Sequence, residues 1–137
     1  MSFKILFMGT PTFSVPILKS LNQSNHEIIG VYTQPPKKKN RGQKISFSPV
    51  HQYSNEMNIS VRHPLTLETQ EEFEYIKKIK PDIVVVVAYG KIIPSKFLNL
   101  ENVLFINIHA SLLPKWRGAA PIQRAIMNCD NETGISI

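Results

Sequence analysis

Asp82-Ile-Val-Val-Val-Val-Ala-Tyr-Gly90 is β-branched and apolar at every position of its middle. A strand with one wet face alternates apolar with polar residues. A run that stays apolar has both faces covered, as inside a parallel sheet flanked by helices. The preceding chain fits that reading. Phe3 to Met8 is another compact β-type run, stopped by Gly9-Thr10-Pro11. Glycine frees the backbone for a tight turn, and proline suits the first turn of a helix. Phe13, Ile17, Leu18 and Leu21 then recur at helical spacing, so a helix is expected from near Ser14 with Pro16 in its first turn. Glu27 to Thr33 reads as the next strand, completing a βαβ unit. The predicted fold is α/β: a doubly wound, Rossmann-like, mostly parallel sheet with helices on both faces.

Onward from that unit, Pro49 to Met57 reads as a short helix and Ile59 to Arg62 as a short strand. Thr69-Gln-Glu-Glu72 has capping-box spacing. Acidic residues open this helix and Lys77, Lys78 and Lys80 close it, matching the helix dipole. Phe73, Ile76 and Ile79 give it an apolar stripe, and Pro81 stops it. A helical segment near Pro94 to Leu98, a strand over 103–107, a helix from Ala120 to Asn128 and a strand from Thr133 to Ile137 are expected to follow. The sheet end near Ile135 and Ile137 is expected to be exposed, which favours self-association of this chain.

A length of 137 residues suits one domain. Cys129 is the only cysteine, which excludes an intrachain disulfide and a cysteine-rich metal site. No spacing of histidines with carboxylates suggests a metal. The longest apolar run, Ile83 to Tyr89, is far below the ~20 residues that span a bilayer, and no signal-peptide pattern opens the chain. A soluble, cytoplasmic protein is expected. The net charge of +6 is concentrated: Lys37, Lys38, Lys39, Arg41 and Lys44 fall together, and no acidic residue occurs between Glu27 and Glu56. Placed beside a ligand edge, such a cluster suits phosphate contacts, although most charge runs are solvated surface.

Ligands of open α/β sheets bind at the C-terminal ends of the strands. Gly9-Thr10-Pro11, Thr33-Gln34, Tyr89-Gly90 and Asn107-Ile108-His109 are all expected there. Gly9-Thr10-Pro11 lacks the further glycines of a dinucleotide fingerprint, which disfavours NAD, and there is no Walker-type loop. Asn107 and His109, two residues apart at the end of a β-type run, would project to one face. Ser111, Leu112, Leu113, Pro114 and the cationic Lys115-Trp-Arg117 follow at once. His26, His51 and His63 lack such a setting and read as surface or packing residues.

These residues resemble a known family. Met8-Gly-Thr-Pro-Thr-Phe-Ser-Val-Pro16, Val31-Tyr-Thr-Gln-Pro35, Arg41-Gly42, Val85-Val-Val-Ala-Tyr-Gly90, Asn107-Ile-His109, Ser111-Leu-Leu-Pro114 and Arg117-Gly-Ala-Ala-Pro-Ile-Gln-Arg124 look like the N-terminal part of the methionyl-tRNA formyltransferases. The resemblance implies formyl transfer from 10-formyltetrahydrofolate to the amino group of methionine on initiator tRNA, in translation initiation and without a metal. It implies Asn107 and His109 as catalytic residues. Ser111, Leu112, Leu113 and Pro114, with Tyr89 and Gly90, would bind the folate. Lys37, Lys38, Lys39, Arg41 and Lys44 would bind tRNA from a loop over 34–48. The family pattern has an acidic residue where Pro36 stands and a glycine where Cys129 stands. It also has an aspartate beyond position 137 that orients the histidine, and a C-terminal β-barrel domain. Residues 1–137 are therefore expected to be a partial N-terminal formyltransferase domain of a full-length monomer. Two alternatives stay open: a non-catalytic folate- or tRNA-binding fragment, and a related folate-dependent formyltransferase acting on a small amine.

Overall fold

Strand β1 (Lys4–Gly9) is buried from Ile5 onward, and the rest of the first unit is built against it. In the computed structural model, which describes residues 1–39 and 44–137, the chain forms two compact units, Met1–Ile106 and Asn107–Ile137. After β1 come a 3-10 turn (Thr12–Ser14), α1 (Val15–Asn22), β2 (Glu27–Tyr32), β3 (Lys37–Lys39), β4 (Lys44–Ser46) and α2 (Pro49–Glu56). Then follow β5 (Val61–Arg62), α3 (Gln70–Ile79), β6 (Ile83–Val87), α4 (Ser95–Leu98), β7 (Leu104–Asn107) and α5 (Pro121–Met127). No helix among the described residues is long and apolar enough to cross a membrane.

The main sheet has the order β5-β2-β1-β6-β7, with β1 at its centre, and β1 pairs in parallel with both β2 and β6. Its register explains both buried faces. Met8 lies opposite Tyr32 and Val86, and Phe7 opposite Val31 and Val85. Because alternate residues face opposite ways, Leu6, Met8, Tyr32 and Val84 share one face. There they cluster with Ile76 of α3, Phe97 of α4, Leu67 and Tyr89. Ile5, Phe7, Val31, Val85 and Val87 point the other way and are equally buried. The doubly covered parallel strand read from Asp82 to Ala88 is thus present as β6, one residue shorter at each end, as is the predicted α/β class.

Helix α1 takes Pro16 in its first turn. Ser48 caps α2, its Oγ accepting from the His51 N–H at 3.1 Å. Helix α3 ends at Lys80 in a left-handed conformation just before Pro81. Its N-terminus differs from the expected capping box. Thr69 Oγ1 accepts from the Glu72 N–H at 3.4 Å, but the Glu72 carboxylate does not return to the cap. It lies buried, accepting from the Tyr32 hydroxyl at 2.5 Å and from Arg62 at 2.9 and 2.7 Å. A nearly dry carboxylate needs a cation and several donors, and the helix cap offers neither.

Two expectations are corrected. The segment 34–48 is not simply a loop: β3 and β4 form an antiparallel ribbon, pairing Lys37 with Ser46 and Lys38 with Ile45. Thr133 to Ile137 is not a strand; only an isolated antiparallel bridge joins Ser136 to His109. Smaller differences are ordinary fraying: β2 stops at Tyr32, and β5 is only Val61–Arg62.

The buried Glu72 gives the fold a pH signature. Burial raises its pKa, but hydrogen bonds from Arg62 and Tyr32 outweigh that and hold it below the ordinary 4.5. The stability it contributes is therefore complete above 4.5 and lost as pH falls through the lowered folded value. Glu72→Gln is expected to cost about 3 kcal/mol near neutral pH, the low end for a broken buried pair, because Arg62 keeps partial access to water. Below pH 4.5 the variant's stability should fall less steeply than the wild type's. Urea denaturation across pH measures both.

Candidate active site

Three strand ends of the first unit are tied into one knot. The Tyr89 carbonyl accepts from Thr10 Oγ1 at 2.9 Å and from Gln34 Nε2 at 3.2 Å. Thr10 Oγ1 in turn accepts from the Gln34 N–H at 3.2 Å. Thr10 follows β1, Gln34 follows β2 and Tyr89 follows β6. One layer deeper, Ser14 Oγ donates to the Val87 carbonyl at 2.6 Å. Beside the knot, Thr33 Oγ1 and the α2 cap Ser48 Oγ are 2.6 Å apart.

Gly90 completes this edge. It has φ +83, and a Cβ there would lie 1.9 Å from Gln34 Nε2. The preceding Ala88 is itself left-handed at φ 48, so the chain leaves β6 through a tight turn that a side chain at position 90 would disturb. The Tyr89 ring is buried in the core cluster and its carbonyl is already engaged, whereas Gly90 is exposed. Of the pair singled out as ligand contacts, Gly90 is the one with open surface.

The second unit is held by different means. Asn107 is the last residue of β7 and is exposed. His109 is not on that strand; its N–H and carbonyl bond the Ser136 carbonyl and N–H, each at 2.9 Å. Ser136 Oγ also donates to the Ser111 carbonyl at 2.8 Å and accepts from the Leu113 N–H at 3.0 Å. One serine therefore fixes His109, Ser111 and Leu113. Ser111 is fully buried, its Oγ donating to the Lys115 carbonyl at 2.7 Å. Leu112 and Leu113 keep about half their surface in water. The Leu113–Pro114 peptide is cis.

His109 Nε2 lies 2.9 Å from the Trp116 carbonyl. A carbonyl only accepts, so Nε2 carries the proton and, in the neutral ring, Nδ1 remains as a base. The Trp116 ring is pinned by its Nε1–H donating to Asp130 Oδ2 at 2.7 Å. Hydrogen bonds from Asn128 and then Trp116 hold the Asp130 carboxyl below its ordinary value despite some opposing desolvation, with Lys115 adding to the effect. Arg124 of α5 donates to the Arg117 carbonyl at 2.7 Å and lies 5.2 Å above the Trp116 ring. An imidazole whose second nitrogen is a base can accept a proton, and an exposed side-chain amide can donate to a developing oxyanion.

Lys37, Lys38 and Lys44 stand exposed on β3 and β4, with Lys39 in the same ribbon; Arg41 lies outside the described residues. The residues missed in the sequence are Thr10, Gln34, Trp116 and Ser136. Thr10 and Gln34 lay within turns already placed at the ligand edge. Ser136 was hidden because its segment read as a strand.

Residues 3–137 match the family described as formyl transferase. The chain is 63% identical over 138 residues to a methionyl-tRNA formyltransferase of Pelagibacter ubique (strain HTCC1062), covering all of this chain and 44% of that protein. It is 51% identical to a methionyl-tRNA formyltransferase of Coxiella burnetii (strain RSA 331 / Henzerling II), again over all of this chain and 44% of the relative. The chain thus spans somewhat under half the length of these curated relatives. Its fold matches the crystal structure of a phosphoribosylglycinamide formyltransferase from Streptococcus pneumoniae TIGR4, with TM-score 0.70 and 17% identity over 97% of this chain and 71% of that one.

Thr10→Val keeps the shape of the strand-end knot and removes its central hydroxyl. It is expected to destabilise the protein by about 2 kcal/mol, since the Gln34 N–H loses its acceptor and the Tyr89 carbonyl one of its donors. The urea midpoint should fall at unchanged denaturant slope.

Proposed function

This chain belongs to the formyl transferase family, and on that premise we propose that it serves formyl transfer from 10-formyltetrahydrofolate to the amino group of methionine on initiator tRNA, in the cytoplasm. The observation that carries this reading is 63% identity, over the whole chain, to a protein named methionyl-tRNA formyltransferase.

The chemistry follows from the side chains. The methionyl amine attacks the formyl carbon, a C–N bond forms, and the formyl oxygen becomes an oxyanion. Asn107 donates its amide N–H to that oxygen, a type of contact whose loss costs ~10²–10³ in rate. His109, with Nε2 held by the Trp116 carbonyl, accepts the amine's proton at Nδ1. Collapse of the intermediate breaks the bond to N10 of the folate, which takes up a proton as it leaves. An acid–base role of this kind contributes ~10²–10⁴. In this reading Ser111, Leu112, Leu113 and Pro114 receive the folate, with the exposed leucines meeting its apolar ring faces. Tyr89 and Gly90 contribute as a turn that keeps backbone free of side chain. Lys37, Lys38, Lys39, Arg41 and Lys44 meet tRNA phosphates, each contact steepening the salt dependence of binding by ~0.7–0.9 log units.

The test is transfer of a radiolabelled formyl group to methionine-charged initiator tRNA. It should be run with this chain and with a protein in which the chain is continued by the remaining sequence of a relative. The continued protein is expected to formylate the tRNA, and Asn107→Ala to lower the rate ~10²–10³-fold. Transfer only to a small amine, with none to tRNA, would sink the proposal.

A further inference from the structure

Phe47, His51 and His63 form a row of mutually tilted aromatic rings that the catalytic reading leaves without a use. The Phe47 and His51 ring centroids are 4.4 Å apart with planes tilted by 57°. Those of His51 and His63 are 5.4 Å apart at 31°. The middle ring is only 7% exposed, and its Nδ1 has no hydrogen-bond partner among the described residues. The outer two are open: Phe47 is 42% exposed and His63 is exposed as well. All three lie outside the core cluster that Leu6, Met8 and Tyr32 build. Burial pushes the His51 imidazolium pKa down, and the neighbouring His63 pushes it further in the same direction. The ring between the two open ones is therefore biased toward the neutral imidazole.

Position gives the stack its partner. Phe47 is the residue directly after β4, whose last residue Ser46 pairs with Lys37. It therefore stands at the root of the cationic ribbon. Lys37, Lys38 and Lys44 are exposed on that ribbon, and no carboxylate occurs between Glu27 and Glu56 to neutralise them. Open aromatic faces beside fixed cations are the combination that binds an unpaired nucleotide: the base stacks and the phosphate meets ammonium groups. Inside a duplex each base face is covered by its neighbours, and at a blunt end only the outer face of the terminal pair is open, so such a row has less to grip there.

We propose that Phe47 and His63, on either side of the buried His51, offer stacking faces for unpaired bases of an RNA whose phosphates lie against the lysines of β3 and β4. This deepens the tRNA reading above and rests on it. It assigns to this face a preference for single-stranded over duplex termini that cations alone would not give.

The test uses the whole chain and two synthetic RNA hairpins, one blunt and one carrying a single-stranded 3′ extension with 2-aminopurine at its first unpaired position. Affinity is read by fluorescence anisotropy across salt, and stacking by quenching of 2-aminopurine. The wild type should prefer the extended hairpin and quench the probe. Phe47→Ala should weaken binding of the extended hairpin about 5- to 150-fold, the range for a lost base stack, and abolish the quench. Affinity for the blunt hairpin and the salt slope should stay as they were. His63→Ala, at an exposed position, should act in the same direction without a folding penalty, and Phe47→Trp should restore binding and quenching. Equal affinity for the two hairpins, or no quench in the wild type, would overturn the subsite while leaving RNA binding by the lysines intact. Failure of the wild type to bind either hairpin would overturn the subsite and the RNA-binding part of the functional reading together.

Discussion

A single backbone carbonyl, that of Tyr89, governs how the strand ends of the first unit are held together. It accepts from Thr10 and from Gln34, and so joins the exits of β1, β6 and β2. Parallel strands leave their last carbonyls and N–H groups without ladder partners, and a buried unpaired group costs about 1–3 kcal/mol. Here side chains of the turn residues supply the partners. The consequence is geometric: the turns after three adjacent strands cannot move independently. Gly90 belongs to the same constraint, because Gln34 occupies the space that a Cβ would need.

The second unit solves the corresponding problem without a sheet. Ser136 satisfies backbone groups of His109, Ser111 and Leu113. Asp130 anchors the Trp116 ring, and the Trp116 carbonyl sets the orientation of His109. Asp130 does not touch the imidazole in this chain of contacts; it acts on the residue that does. In the proposed reaction that leaves His109 Nδ1 as the nitrogen available to the substrate amine. Lys37, Lys38, Lys39 and Lys44 sit apart in sequence, on the β3–β4 ribbon, so in the proposed reading chemistry and polyanion contact fall to different segments.

Much of this was legible in the residues. The unbroken apolar run from Ile83 to Val87 specifies a strand covered on both faces, and the glycine and proline after Met8 specify the turn into α1. These are local signals with strong physical causes. What escaped depends on tertiary partners. Glu72 stands at capping-box spacing, but burial beside Tyr32 diverts its carboxylate to Arg62. Pro35-Pro36 and the lysines read as loop, yet cross-strand pairing of Lys37 with Ser46 makes a ribbon. Ile135 and Ile137 alternate as a strand would, but only Ser136 finds a partner. The Thr10–Gln34–Tyr89 knot joins residues up to 79 positions apart, and no local pattern encodes it. In the site, Asn107, His109 and the Ser111–Pro114 segment were singled out from spacing and family likeness, whereas the Trp116 carbonyl contact could not be, since backbone acceptors carry no sequence signature.

The most direct measurement is backbone amide chemical-shift mapping by NMR during titration with a stable formyl-folate analogue. The expected result is saturable shifts at Gly90 and at Ser111, Leu112 and Leu113, with the amides of β3 and β4 unchanged until RNA is added. Shifts confined to residues outside these segments, or none at analogue concentrations well above those that saturate folate enzymes, would contradict the assignment of these segments to the formyl donor.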